Sequence, residues 1–165
     1  DGRHHRCRRK KWSIEHHRRA ARHFGQFNGA YLTGTVVPSL PWVSRNWLRG
    51  WFADITGTFN LLRRSLDHPL VEQLYPGDYL QRLLQVQDES EMFFKSLDLL
   101  PQTFCHMDAF RRNLFASKSP GGDDKTVAID WAFTGQGAVG EELAPLVAAN
   151  LLFFEVDTSD AHELD

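Results

Sequence analysis

Apolar residues in the first part of the chain recur every three to four positions, with polar residues filling the gaps. Ile14, Ala20, Ala21, Phe24, Phe27, Ala30 and Tyr31 fall at helical spacing, and Gly34 stands where it would end that helix. A loop containing Pro38 and Pro41 follows over 35–42, and shorter helices are predicted at about 43–54 and 58–66. From 78 to about 97, the residues Tyr79, Leu80, Leu83, Leu84, Val86, Met92, Phe93 and Leu97 predict a long buried helix, with Asp88, Glu89 and Glu91 on its wet side. The period then changes. Segments 113–117 and 126–130 are apolar, β-prone runs, and the turn-forming Ser-Pro-Gly-Gly-Asp-Asp of 119–124 between them predicts a β-hairpin. A last helix at about 142–155 would pack Leu143, Leu146, Val147, Leu151 and Phe154, before a polar, frayed tail. The fold class is therefore α+β and predominantly helical.

Composition fits one compact unit. With 165 residues, 42% of them hydrophobic and 24% charged, the chain can bury a core of its own. The net charge of −2 hides an asymmetry, because residues 1–23 hold nine Arg and Lys against two acids and the remainder ten against nineteen. Residues 1–11 read as a disordered basic tail, 12–157 as the folded unit and 158–165 as a polar tail. Cys7 lies in the basic tail and Cys105 in an apolar strand, so they make no metal or disulfide framework, and a reducing cytoplasm fits. No apolar run approaches the roughly 18 residues a membrane span needs. The basic start runs into Trp-Ser-Ile-Glu-His instead of an apolar stretch, which argues against a signal peptide.

The chemistry concentrates at 103–131. His106, Asp108 and Asn113 follow the pattern H-x-D-x-x-x-x-N, and Asp130 closes an apolar run just before Trp131. Kinase-type enzymes use this arrangement to hold a base and metal ions beside a phosphoryl group. Pairing the two strands of the hairpin brings Asn113 and Asp130 to one end of it, with Asp108 on the loop just before. An amide oxygen and a carboxylate converging there suit Mg²⁺, which prefers a few hard oxygen ligands plus substrate phosphates. A separate carboxylate can then accept the proton of an attacking hydroxyl. His106 has acid/base chemistry of its own, but the kinase pattern assigns the base to the Asp, which leaves His106 to brace the loop.

At these residues the chain resembles the aminoglycoside phosphotransferase-like family, whose members have a protein-kinase-like fold. The stretch 106–146 follows that family's layout: catalytic loop, hairpin, Ile129-Asp130-Trp131, a Gly-containing loop, then Glu142-Leu-Ala-Pro-Leu opening a helix. Residues 20–32 also look like a helix of its C-terminal lobe. The resemblance implies a kinase-like C-terminal lobe that transfers a phosphoryl group from ATP, assisted by Mg²⁺, to a hydroxyl of a small molecule. Asp108 would be the catalytic base, and Asn113 and Asp130 would bind Mg²⁺ and so the nucleotide. The family usually has Asp where this chain has Glu142, whose added methylene could weaken whatever contact that carboxylate makes to the catalytic loop. The N-terminal lobe of such enzymes supplies a strand Lys and a helix Glu, whereas the lysines here are Lys10, Lys11, Lys95, Lys118 and Lys125, none in a strand upstream of the catalytic loop. The expectation is a C-terminal lobe with an apolar docking face, through which a missing lobe or a second copy would associate.

Other readings compete. One is a non-catalytic remnant that keeps the site as a binding or interaction module. Another is a dinucleotide site, since Gly135, Gly137 and Gly140 match G-x-G-x-x-G with Asp157 downstream. Against that site, few residues follow Asp157, Pro145 would interrupt a helix starting at Gly140, and Asp130 would put a charge inside a parallel strand. The arginines and lysines of 6–11 could grip nucleic-acid phosphates, but a solvated tail explains them as well. The pairs His4-His5 and His16-His17 do not share a helical face and argue against a metal site there. Asp88, Glu89 and Glu91 could attract a cationic substrate or simply form a charged outer face.

Overall fold

A computed structural model describes residues 11–156. The basic segment up to Lys10, including Cys7, His4 and His5, and the polar tail with Asp157 lie outside the described residues. Helix α1 (Ile14–Leu32) buries His17, Ala20, Phe24 and Asn28, one stripe at spacings of three and four, and stops just before Gly34. The two short helices expected at 43–54 and 58–66 are instead one, α2 (Trp47–Arg64), which runs through Gly57. Tertiary packing accounts for the continuity. Phe59 of α2 joins Leu80 and Leu84 in a core cluster flanked by Ile55, Leu62, Val71, Tyr75 and Leu83, and burying such side chains outweighs the roughly 1 kcal/mol cost of a helical glycine.

A short α3 (Pro69–Leu74), not expected from the sequence, begins with Pro at its first turn, where the missing N–H costs nothing, and with the His68 ring accepting from Leu70 N. The long helix expected over 78–97 is two, α4 (Tyr79–Asp88) and α5 (Ser90–Asp98). The segment is also less buried than its apolar spacing predicts: Leu80, Leu84 and Phe94 are buried, whereas Val86, Met92 and Phe93 are exposed. Arg63 explains the stop at Asp88. Its guanidinium donates to Leu84 O, Gln87 Oε1 and Asp88 Oδ1, placing a cation where the α4 carbonyls run out of partners. Glu91 and Asp98 both pair with Arg49. Asp88 and Glu91 thus serve ion pairs of the fold, which weakens their reading as a cation trap.

The strands form two antiparallel pairs. β1 (Gln102–Cys105) pairs with β4 (Gly135–Ala138), and β2 (Leu114–Lys118) pairs with β3 (Asp124–Ala128). The second pair is the expected hairpin, with its edges shifted by one or two residues. The first corrects the dinucleotide reading, because Gly135 and Gly137 lie in a strand pairing antiparallel with β1 and do not form a turn opening a helix. A close backbone contact requires glycine at 135, where a Cβ would stand 2.4 Å from Ser44 O, whereas at Gly137 a Cβ would meet only the flexible ends of Met107 and Glu141.

The last segment also differs from expectation. Glu142 sits in a turn, a π-helical stretch (Pro145–Ala149) follows, and α6 spans only Asn150–Leu152. Of the five apolar residues expected to pack, only Leu146 is buried. Leu146 joins Ala20, Phe24, Ala109 and Leu114 in the core that carries the segment from His106 to Asn113. Among the described residues no helix is long and apolar enough to cross a membrane.

Candidate active site

β1 delivers the chain into a sharp turn. Met107 has φ 68°, a left-handed conformation uncommon for a side chain of its size, and Asp130, at the other end of the constellation, has φ 60°. Buried bonds hold the turn at Met107. The carboxylate of Glu142, only 2% exposed, accepts from His106 N at 2.6 Å and from Met107 N at 3.1 Å. Two backbone donors that β1 cannot satisfy are paired by one carboxylate. The contact expected to suffer from the extra methylene of Glu142 is therefore made in full. Burial holds the Glu142 carboxyl above its usual range, with a small addition from Glu141, and its bonds to His106 N, Met107 N and Asn28 offset only part of that rise.

His106 is fully buried between Trp131, 4.5 Å away between ring centroids, and Phe24 at 6.1 Å. Its Nε2 lies 2.9 Å from Ile129 O, and Asp108 N donates to its Nδ1 at 3.3 Å. That pattern assigns the Nε2–H tautomer, and burial lowers the ring's pKa, keeping it neutral. Both ring nitrogens are thus committed to the backbone on either side of the site, an arrangement suited to bracing Asp108 against the hairpin.

Asp108 is partly buried. Asn113 Nδ2 donates to its Oδ2 at 2.7 Å and to its carbonyl at 3.0 Å. Burial raises the Asp108 carboxyl above its ordinary value, with Asp130 adding to the rise, while the Asn113 bond and His106 oppose it. Ile129 N donates to Asn113 O at 3.0 Å, which continues the hairpin ladder by one step and sets Asp130 next to Asn113's partner. The site residues expected from the sequence therefore come together: Asp108 and Asn113 are bonded, His106 contacts Asp108, and Asp130 stands at the same hairpin end as Asn113.

The donor set fits a hard cation. The Asn113 amide nitrogen is bonded to Asp108, which leaves the amide oxygen as its acceptor, in a side chain that is only 8% exposed. The Asp130 carboxylate is exposed and makes no hydrogen bond among the described residues. Two oxygens of this kind, with water or phosphate completing the shell, are what Mg²⁺ takes. Among the described residues no three His, Cys, Asp or Glu side chains gather as a metal cluster.

Several supporting residues were not singled out from the sequence. Asn150, fully buried, accepts from Arg111 N at 2.8 Å with its side-chain oxygen, fixing the turn between Asp108 and Asn113. Asn28 donates to Phe104 O at 2.8 Å, and Thr103 Oγ1 donates back to Asn28 O at 2.6 Å, which locks α1 onto β1. Thr134 Oγ1 donates to Cys105 O at 2.7 Å. The available signal was a polar residue on an apolar stripe: His17 and Asn28 share the α1 face of Ala20 and Phe24.

His17 carries a test of its own. It is 2% exposed, its Nδ1 is 3.4 Å from Asn150 Nδ2, and burial, then Arg111, lower its pKa from 6.5 to about 4. Below pH 6.5 the unfolded chain binds a proton that the folded state refuses, so stability is lost as pH falls from about 6.5 to about 4 and levels off below. The shift corresponds to about 3 kcal/mol. Urea unfolding at pH 7 and pH 4.5 should show a loss in the natural protein that His17→Gln largely removes. Equal pH dependence in both would mean that His17 charges freely inside the fold.

Comparison with known families matches residues 38–164 to the phosphotransferase enzyme family. Comparison with curated proteins and with solved structures finds no match. The matched span covers Asp108, Asn113, Asp130 and the buried Glu142, and by that match over most of its length the chain belongs to the phosphotransferase enzyme family.

Proposed function

We propose that this protein transfers the γ-phosphoryl group of ATP to a hydroxyl of a small molecule, with Mg²⁺ held by Asn113 Oδ1 and the Asp130 carboxylate. The observation that carries this reading is the bond from Asn113 Nδ2 to the Asp108 carboxylate at 2.7 Å, at the hairpin end where Ile129 N donates to Asn113 O and Asp130 follows. Asp108 takes the proton of the acceptor hydroxyl as its oxygen forms the new bond to phosphorus, and ADP departs with the electrons of the broken bond. Its raised pKa makes it a better proton acceptor than an ordinary surface carboxylate. The chemistry that Mg²⁺ supplies when bound is neutralisation of phosphate charge. His106 keeps the base in place.

The hairpin also suits the nucleotide. Phe115 and Val127 are opposite partners in its register, Ile129 lies two residues beyond Val127 on the same face, and all three are exposed apolar side chains. A base stacked on that face would extend its phosphates toward Asn113 and Asp130. The same exposed residues, with Phe133, would carry docking of a strand-rich lobe or self-association. A second reading is a binding module without turnover, in which Asn113 and Asp130 hold metal and nucleotide and Asp108 only orients Asn113.

Paramagnetic Mn²⁺ tests the site. Its titration should broaden NMR signals of Asn113 and Asp130 first, with an affinity on the order of millimolar before nucleotide is added, and Asp130→Asn should abolish the effect. Broadening elsewhere with these two untouched would discard the assignment. Metal and ATP binding with no ADP release for any alcohol would select the module reading.

A further inference from the structure

Between α1 and the inner face of the hairpin lies a cavity of about 180 Å³, lined by His23, Phe24, Phe27, Thr126, Ala128 and Trp131. Thr126 and Ala128 alternate along β3 with Val127, so the cavity opens on the face opposite the one proposed for the nucleotide. None of its six lining residues belongs to the base and metal set, yet Trp131 directly follows Asp130 and packs on His106.

The walls are aromatic and anchored. Phe24 belongs to the buried core, with Phe27 and Ala128 packed against it. Phe27 meets Phe24 at 6.4 Å and 84° and Trp131 at 5.7 Å and 65°, so the rings sit edge to face and present further edges and faces to a planar guest. The Trp131 indole N–H is spent on Ala128 O at 3.1 Å, which fixes that ring's orientation. One polar pair interrupts the apolar lining: His23 Nδ1 and Thr126 Oγ1 stand 2.8 Å apart. With the threonine hydroxyl donating to Nδ1, the Thr126 oxygen keeps lone pairs for a guest's O–H and the imidazole keeps an Nε2–H donor.

We propose that this cavity is a binding site for a small planar aromatic molecule bearing a hydroxyl, of the class of simple phenols. Apolar cavities of about 150 Å³ take up benzene, so about 180 Å³ is room enough for one substituted ring. The aromatic walls select a ring, and the His23–Thr126 pair selects a ring with a hydrogen-bonding oxygen. The site does not depend on phosphotransfer, although a guest there touches the residue next to Asp130.

Phenol and toluene titrated into the isotope-labelled protein, followed by NMR, test the proposal. Phenol should give saturable shifts at Thr126, Ala128 and the Trp131 indole N–H, with an affinity on the order of millimolar for so few atoms. Ala128→Leu, which fills the cavity, should weaken phenol at least about tenfold. Thr126→Val keeps the shape and removes the hydroxyl, and it should weaken phenol about fivefold while leaving toluene unchanged. No saturable shift at these residues, or phenol binding that Thr126→Val leaves equal to wild type, overturns the proposal. It is also overturned if the same signals move with protein concentration alone, since a second copy would then occupy the cavity.

Discussion

Replacing Glu142 with Ala should destabilise the protein by about 2–6 kcal/mol, because it orphans two buried backbone donors at about 1–3 kcal/mol each. Against the roughly 5–15 kcal/mol that hold a typical domain together, this comes close to unfolding it. The donors are His106 N and Met107 N, and no strand partner can take them over, since Met107 turns into the left-handed region at that point. Glu142→Gln should cost less, because one oxygen remains, but its new NH₂ group faces a backbone N–H. Glu142→Asp should also cost less than Ala, since it keeps the carboxylate although the shorter side chain retracts from amides now met at 2.6 and 3.1 Å. Urea unfolding of the three variants measures the order Ala, then Gln and Asp, then wild type. A loss under about 1 kcal/mol for Glu142→Ala would mean that water replaces the carboxylate and that the loop does not depend on it.

The elements legible in the sequence are those set by local pattern. The apolar spacing of α1 and the turn chemistry of 119–124 place a helix and a hairpin within one or two residues of their ends. The motif spacing from His106 to Asn113, with Asp130 at the far strand, brings the site residues to one place because a hairpin register converts sequence distance into spatial proximity.

What stayed illegible is governed by contacts distant in sequence. Gly57 reads as a break, yet α2 continues through it because Phe59 docks on Leu80 and Leu84. Residues 135–138 read as a loop or a phosphate-binding turn, since glycine carries no strand preference, and only the Ser44 backbone pressing against Gly135 reveals why glycine is needed there. Glu142 looked like a weakened contact because the placement of its turn, and hence the reach required of its side chain, is a tertiary quantity. The same holds for Asn150, whose bond to Arg111 spans 39 residues of sequence.

In protein that turns over ATP, Asp108→Asn should reduce phosphotransfer roughly 10²-fold or more while leaving nucleotide affinity nearly unchanged, the mark of a lost base and not of a lost contact. Asn is the informative replacement. Its oxygen can still accept from Asn113 Nδ2, which now bonds to Asp108 at 2.7 Å, so the metal-side oxygen of Asn113 keeps its place while proton acceptance disappears. Asp108→Ala removes both and should add a loss of metal affinity. The pH profile supplies a second reading. A base works only when ionised, and burial has raised the Asp108 carboxyl above its ordinary value, so the acidic limb of turnover should sit above the usual Asp range and vanish in Asp108→Asn. His106→Ala should instead lower stability together with activity, since its ring links Asp108 N to Ile129 O and leaves both groups unpaired when removed. An Asp108→Asn protein that releases ADP at the wild-type rate, with its acidic limb intact, would move the base elsewhere and leave Asp108 only the task of orienting Asn113.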